Sequence, residues 1–265
     1  MVGEAVHGAI RVMTFNIRFG AAPDDDNSWE VRDHLVIDRI CSYSPDVLGV
    51  QEALHCQVAL LEAALPGYES IGIHRHGGNE GESCKLFIRT NLLAVEDSGT
   101  FWLSQTPDKA GSRAWGAEVP RICTWAIVQH RRLHTQLLVA NTHFDYHSVR
   151  ARRESARVIG DWSKTFLLPI LLLGDFNADE GSQPLRLLNE HGLRDAFRVV
   201  HPHNNNVATF NGFGTNQSRG KIDHILCSSD FKVHSAAIDT TTCNGRFPSD
   251  HYPVTASVSL SGDSL

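Results

Sequence analysis

A short polar segment directly follows the most apolar stretch of the sequence. Residues 167–173 are apolar throughout and are followed by Gly174, Asp175, Phe176 and Asn177. A run of this length is too short to span a membrane and is typical of a strand buried on both faces. Because side chains alternate along an extended chain, Asp175 and Asn177 are predicted to face one cleft as a base and an amide donor. Taken alone, the segment is equally compatible with an ordinary turn.

Polar residues recur at the ends of other predicted strands. Strand ends at one edge of packed sheets form a shared rim, so these side chains are expected to meet. They are Asn16, Glu52, His143, Asp223 and the adjacent Asp250 and His251.

The residue types at this rim indicate the chemistry. Glu52 and Asn16 offer a carboxylate and an amide oxygen, the hard donors that Mg²⁺ or Mn²⁺ prefers. Asp175, Asn177 and His251 form a second set that can activate water and hold an anion. Together the two sets predict metal-assisted hydrolysis of a phosphate ester.

The elements that must position these residues follow from hydrophobic periodicity. Helices are predicted at residues 30–42, 54–65, 149–166 and 183–191. Strands are predicted at residues 10–15, 47–50, 68–73, 85–88, 92–96, 122–129, 136–140, 167–173, 221–227 and 254–260. The segments 99–121 and 204–220 are predicted to be long loops. No repeat or linker is found, so one domain is expected over residues 9–261, with tails at 1–8 and 262–265.

Composition restricts the class of protein. The 265 residues include 24 Lys and Arg against 30 Asp and Glu, a net charge of -6. This balance argues against a broad nonspecific grip on nucleic acid, although a local basic cleft stays open. The N-terminus has no signal-peptide pattern, and no segment approaches the length of a membrane span, so a soluble cytoplasmic protein is expected. The six scattered cysteines are expected to be reduced core thiols.

Six motifs, in chain order, resemble those of the endonuclease/exonuclease/phosphatase superfamily, which includes pancreatic deoxyribonuclease, apurinic endonucleases, deadenylases and tyrosyl-DNA phosphodiesterase. They lie at residues 15–18, 50–52, 141–145, 174–177, 222–224 and 249–253. Residues 101–125 resemble a bacterial branch of metal-dependent hydrolases within that superfamily. The resemblance implies an α/β fold, a four-layer α/β/β/α sandwich of two mixed sheets, with helices outside and the site at one rim.

The resemblance also implies a role for each rim residue. Glu52 and Asn16 would hold Mg²⁺ or Mn²⁺, with Asp250 near the ion through water. Asp175 would position and deprotonate the attacking water. Asn177 and His143 would donate to the phosphate. His251, kept cationic by Asp223, would stabilise the charge that builds up in the transition state.

Three substrate contacts are also predicted. Arg18 stands where apurinic endonucleases have an aspartate, which favours a single-ion site and a phosphate contact from Arg18. Tyr146 stands where the bacterial branch is expected to have histidine and is assigned to the substrate. Arg121 is expected to contact phosphate, with pairing to a carboxylate as the alternative.

Several alternatives stay open at this stage. A phosphodiester in a nucleic acid or nucleotide is preferred as substrate over a sugar, inositol or lipid phosphate. A non-catalytic binding scaffold and a dinuclear zinc hydrolase built on His143, Asp145 and His147 are weaker hypotheses. Trp102, Trp115 and Trp125 are expected either to stack on a base or to form a small core of their own. No membrane insertion is expected, and the sequence indicates no protein partner.

Overall fold

Two six-stranded sheets form the centre of the structure, a computed structural model that describes residues 8–215 and 220–261. In the first sheet the spatial order of strands is β11-β12-β1-β2-β4-β3, and β1 and β2 are parallel while the other neighbours are antiparallel. The strands of this sheet are β1 (Ile10–Asn16), β2 (Val47–Ala53), β3 (Tyr68–Ile71), β4 (Ser83–Arg89), β11 (Phe231–Ile238) and β12 (Val254–Leu260).

The second sheet has the order β5-β6-β7-β8-β10-β9, and only β7 and β8 are parallel neighbours among its described strands. Its strands are β5 (Leu93–Trp102), β6 (Ile122–His130), β7 (Gln136–His143), β8 (Ile170–Asp175), β9 (Arg194–Asp195) and β10 (Asp223–Cys227). The helices are α1 (Trp29–Tyr43), α2 (His55–Ala64), α3 (Val149–Ser163), α4 (Gln183–Glu190) and α5 (Ala196–Val200).

Side-chain alternation along the strands creates the layers. In β1, Ile10 and Val12 enter the apolar core between the sheets, whereas Met13 and Phe15 pack towards α1 and α2. In the second sheet, Leu172 faces a third core that includes residues of α3 and α4. The predicted four-layer α/β/β/α sandwich is therefore confirmed.

The same alternation brings polar side chains together at one rim. Leu173 of β8 lies in the core between the sheets, so Asp175, two residues later, continues on that inner side. In the strand register, Asp175 is paired with Asp223 of β10 on one side and with His143 of β7 on the other. β7 and β8 end, and β10 begins, at the same level of the sheet. For this reason three predicted site residues are neighbours.

The structure corrects several predicted elements. The strand predicted at 167–173 begins at Ile170, and Leu167 is fully exposed, because the backbone ahead of Pro169 is in neither a helix nor a strand. The helix predicted to reach residue 166 ends at Ser163. Strand β11 was not predicted, and β5 continues to Trp102 into the supposed loop. A bulge interrupts the alternation in both strands, which hides the period of two.

The cysteine prediction is correct for only part of the set. All six cysteines are free; Cys84, Cys123 and Cys227 are buried, whereas Cys41, Cys56 and Cys243 are exposed. The helices of the described residues include none that is long and apolar enough to cross a membrane. The predicted tails lie outside the described residues except for Gly8, and the domain bounds of 9–261 stay a prediction.

Gly174 lies at the rim and has no room for a side chain. Its φ is +156°, and a Cβ there would lie 2.3 Å from the backbone oxygen of Thr142 in β7. We expect Gly174→Ala to lower the free energy of unfolding by about 3 kcal/mol, because backbone of the neighbouring strand would have to move. Urea denaturation followed by circular dichroism measures this, with Gly67→Ala, which meets no atom within 4 Å, as control. Equal denaturation midpoints for the two variants would contradict the prediction.

Candidate active site

Asp175 lies at the centre of the rim and is only 1% exposed. Its Oδ2 accepts a hydrogen bond from Asn16 Nδ2 at 3.0 Å, and its Oδ1 accepts one from the backbone N–H of Asn177 at 2.8 Å. His143 Nε2 and His251 Nε2 lie 3.4 and 3.8 Å from Oδ2. Burial, and then the neighbouring charge of Asp223, raise the pKa of Asp175 to about 7. This carboxylate is therefore held in place and is a stronger base than an ordinary aspartate.

The two histidines beside Asp175 are in opposite charge states. Burial lowers the pKa of His251, but the charges of Asp223 and Asp175 outweigh this effect and raise its pKa well above the ordinary value. His251 Nδ1 is 2.8 Å from Asp223 Oδ2, so Nε2 is left facing the cleft. For His143, burial and then the positive charge of Arg121 lower the pKa well below the ordinary value. A cationic and a neutral imidazole therefore both lie beside the Asp175 carboxylate.

Asn177 directs its amide towards the same cleft. Its Nδ2 lies 3.0 Å from His143 Nε2 and donates to the backbone oxygen of Phe144 at 3.1 Å. Its backbone has a φ of +46°, a left-handed conformation that asparagine adopts more readily than most residues. The turn after β8 therefore places the amide beside His143 and the carboxylate of Asp175.

Glu52 is linked to Asp175 through the side-chain amide of Asn16. Its Oε1 accepts from Asn16 Nδ2 at 2.9 Å and its Oε2 accepts from the backbone N–H of Phe19 at 2.7 Å. Glu52, His143 and Asp175 each offer one possible ligand atom, and these atoms lie within 4.8 Å of one another. Each Glu52 oxygen keeps a free lone pair, so the carboxylate can still bind a cation.

The donor set at this side of the cleft fits a hard divalent ion. Asp250 is buried near Glu52, and its pKa is raised by burial and by the Glu52 charge, although His251 lowers it. Crowded carboxylates of this kind are stabilised by a bound cation, and oxygen donors suit Mg²⁺ or Mn²⁺. Asn16 is the exception in the predicted set. Its Nδ2 faces the carboxylates and its Oδ1 accepts from Arg18 N at 3.0 Å, so its contacts position Glu52 and Asp175, and its role as a ligand stays a prediction.

A cleft of about 530 Å³ opens over these residues and includes all three predicted substrate contacts. Arg18 is held by Asp24 at 2.9 Å and lies 3.5 Å from Asp250, and the hydrogen bond to Asp24 raises its pKa. Tyr146 is 53% exposed, and its hydroxyl donates to Glu118. Arg121 is buried, with its guanidinium 6.0 Å from the Tyr146 ring. The structure thus brings every predicted site residue to one cleft or its immediate wall.

Sequence reasoning missed other residues that line this cleft. Arg75 and Glu82 form an ion pair at 2.8 Å in its wall, and Phe210 and Phe213 also line it. Arg75 and Glu82 lie between two strands and belong to no motif, so the sequence carried no signal for them. The two aromatic rings come from the loop predicted at 204–220, which is rich in Gly and Asn and carries no motif that indicates a site.

The tryptophans expected either to stack on a base or to form a small core have different positions. Trp102 is buried and donates to the backbone oxygen of Arg75 at 2.7 Å. Trp125 packs against Trp162 and Phe166, with ring centroids 6.0 Å apart in each case. Neither lines the cleft; Trp102 belongs to a small cluster with Cys84 and Ile122, whereas Trp125 packs on the core that includes α3 and α4, and the role of Trp115 stays a prediction.

The zinc alternative finds no support in the described residues. His147 is exposed and lies 3.9 Å from Glu118, while Asp145 accepts hydrogen bonds from the backbone of residues 147 and 148. A different group, Glu180, Asp195 and His224, has metal-ligand spacing. Lys221 Nζ lies 2.5 Å from Asp195 and 3.6 Å from Glu180, so an ammonium group already supplies the positive charge there.

The buried Asp195 network predicts a pH-dependent contribution to stability. Burial raises the pKa of Asp195, but Lys221 and His224 lower it well below the ordinary value. A depressed native pKa stabilises the fold above the unfolded-state pKa of about 4, and the contribution is lost as the pH falls. We expect Asp195→Asn to cost about 3 kcal/mol of unfolding free energy near pH 7, with the difference shrinking below about pH 4. Urea denaturation at both pH values measures this. The exposed Asp108→Asn is the control, and a difference that does not vary with pH would contradict the prediction.

The chain is similar to known proteins over nearly its whole length. Residues 13–251 match the model of the endonuclease/exonuclease/phosphatase family. A Bacteroides vulgatus protein of that family is 33% identical, with a TM-score of 0.88 over 95% of this chain and 99% of that chain. A Bacteroides thetaiotaomicron mannosyl-6-phosphatase is 31% identical, with a TM-score of 0.85 over 94% and 99% of the two chains.

More distant similarity extends to nocturnin. Mouse nocturnin is 22% identical over 93% of this chain, and the chain spans about 63% of the length of that relative. The human nocturnin catalytic domain with bound sulfate is 21% identical, with a TM-score of 0.75 over 96% of this chain and 94% of that chain. At this identity the likeness shows the fold alone.

Proposed function

Because the chain belongs to the endonuclease/exonuclease/phosphatase family, we propose that it hydrolyses a phosphate ester by in-line attack of water, with Mg²⁺ or Mn²⁺ as cofactor. One observation carries the proposal. Asp175 is linked through Asn16 to Glu52 and also lies beside His143 and His251, although these residues are spread over most of the chain. A water-activating carboxylate thus stands between a cation site and a phosphate site.

The side chains have distinct roles in the proposed reaction. Asp175 orients water and accepts its proton while the water oxygen forms a bond to phosphorus and the ester oxygen leaves. The cationic His251, held by Asp223, stabilises the negative charge on the phosphoryl oxygens, and the amide of Asn177 donates to them. Neutral His143 adds a further donor as the tautomer protonated on Nε2, which accepts no hydrogen bond from Asn177 and so leaves the second amide hydrogen of Asn177 for the phosphate. A divalent ion held by Glu52, with Asp250 and Asn16 nearby, would neutralise a non-bridging oxygen or the leaving oxygen.

Two substrate classes have support. The mannosyl-6-phosphatase relative, which is 31% identical to this chain, favours a small phosphate ester. A second cleft of about 430 Å³ shares Tyr146 and Asn177 with the first, and this continuous groove favours the diester of a nucleic acid or nucleotide preferred on sequence grounds. We place the small ester first.

Metal-dependent turnover tests the proposed function. Hydrolysis of p-nitrophenyl phosphate and bis-(p-nitrophenyl) phosphate is measured with Mg²⁺, with Mn²⁺ and with chelator, and plasmid DNA is assayed in parallel. We expect turnover of at least one small ester that chelator abolishes. Absence of turnover with either metal would favour a binding scaffold, and cleavage of plasmid DNA alone would favour the nuclease.

A further inference from the structure

Arg121 is a buried cation whose side chain has no close anionic partner among the described residues. It is 7% exposed, its Nε is inaccessible to solvent, and its guanidinium makes neither a hydrogen bond nor an ion pair in the part of the chain that the structure describes. Its guanidinium lies 6.0 Å from the centroid of the Tyr146 ring, and the nearby carboxylate of Glu82 is already paired with Arg75. A buried charge without a counterion is costly, so such a group in the wall of a cleft indicates an anionic ligand.

Arg75 lies in the same wall and is only partly neutralised. Its NH1 is 2.8 Å from Glu82, but its Nε is buried without a partner in the described part of the chain. Trp102 Nε1 donates to the backbone oxygen of Arg75, which fixes the start of this side chain. Arg75, Arg121 and His143 line one recess, so both arginines lie on the His143 side of the cleft.

The space between these groups is narrow. Arg75, Arg121, Glu82 and His143 line both the main cleft and a recess of about 10 Å³ beside it. This volume accommodates about one water-sized group. A single oxygen atom fits there, whereas the carbon chain of an ester substituent does not.

We propose that Arg121, assisted by Arg75, binds a third non-bridging oxygen of the phosphoryl group, so the preferred substrate is a phosphomonoester. This inference rests on the proposed function. A monoester has three non-bridging oxygens and two negative charges near neutral pH, whereas a diester has two such oxygens and one charge. In phosphoryl transfer the negative charge spreads over three equatorial oxygens. Water attacks phosphorus, the ester P–O bond breaks, and the products are inorganic phosphate and an alcohol that leaves along the groove past Tyr146.

The experiment compares one monoester with one diester in the metal-loaded enzyme. We expect Arg121→Gln to lower kcat/KM for p-nitrophenyl phosphate by about 100-fold and to change that for bis-(p-nitrophenyl) phosphate by less than about threefold. Arg121→Lys keeps the charge without the planar fork, so an intermediate loss of about tenfold is expected for the monoester. Arg113→Gln is the matched control, because Arg113 is an exposed arginine of the same segment.

Binding provides a readout that is independent of turnover. Calorimetry with inorganic phosphate and with dimethyl phosphate, at about pH 8 where phosphate is a dianion, is expected to show that Arg121→Gln weakens only phosphate binding, by about tenfold or more. Equal losses for both esters, or unchanged phosphate binding, would overturn the inference while leaving the proposed function intact. Absence of turnover in the unmodified enzyme would instead count against the proposed function. The phosphate-binding measurement would still test whether Arg121 binds a phosphate oxygen.

Discussion

Asp175→Asn is expected to lower kcat by about 10³- to 10⁴-fold, because the amide cannot accept the proton of the attacking water. The substitution keeps the shape of the side chain and its hydrogen bond from Asn177 N. The measurement is turnover of a p-nitrophenyl ester at saturating Mg²⁺ or Mn²⁺, with Asp108→Asn, an exposed aspartate, as control.

Stability separates this catalytic loss from misfolding. The raised pKa of Asp175 means that the folded protein disfavours the charged form, so the stability of the metal-free enzyme falls as the pH rises from about 4 to about 7. Asp175→Asn removes that cost but loses the hydrogen bond from Asn16 Nδ2, so its stability at neutral pH is expected to stay within about 1 kcal/mol of the unmodified protein. Turnover within about tenfold of the unmodified enzyme would exclude Asp175 as the base.

The sequence was informative where a motif sits at a strand end. Asp175, Asp223 and His143 each lie at one end of a predicted strand, which is why they were expected to meet, and the structure pairs them on adjacent strands. The fold class was implied by the resemblance of six motifs to a known family, and the two six-stranded sheets confirm it. Bulges limited the prediction of β5 and β11, because one extra residue reverses the side that each later residue faces.

Contacts that depend on packing between distant segments could not be predicted. Arg75 and Glu82 reach the cleft from the segment between β3 and β4, where neither periodicity nor a motif indicates their direction. The orientation of the Asn16 amide is set by Arg18 N and by two carboxylates from other strands. The sequence could therefore place Asn16 in the site but could not determine which of its atoms faces the carboxylates.

The cation site predicts the second large effect. Glu52→Gln removes the negative charge of the proposed cation site. It can also place an NH₂ group opposite Asn16 Nδ2, which donates a hydrogen bond to Glu52 in the unmodified protein. We expect kcat/KM to fall by about 10²- to 10³-fold. Binding to the folded state alone should stabilise the unmodified protein by about 2.7 kcal/mol when the metal is at 100 times its Kd, and Glu52→Gln should lose most of this gain.

Thermal unfolding with and without Mg²⁺ or Mn²⁺ measures this coupling without reference to any substrate. Asp250→Asn should lose less of the metal-induced stabilisation than Glu52→Gln if Asp250 acts on the ion through water, because a water-mediated contact tolerates an amide in place of a carboxylate. Glu62→Gln, on the exposed face of α2, is the matched control and should respond to metal like the unmodified protein. If Glu52→Gln gains as much stability from the metal as that control, the ion binds elsewhere and Glu52 serves only to hold Asn16 and Phe19 in position.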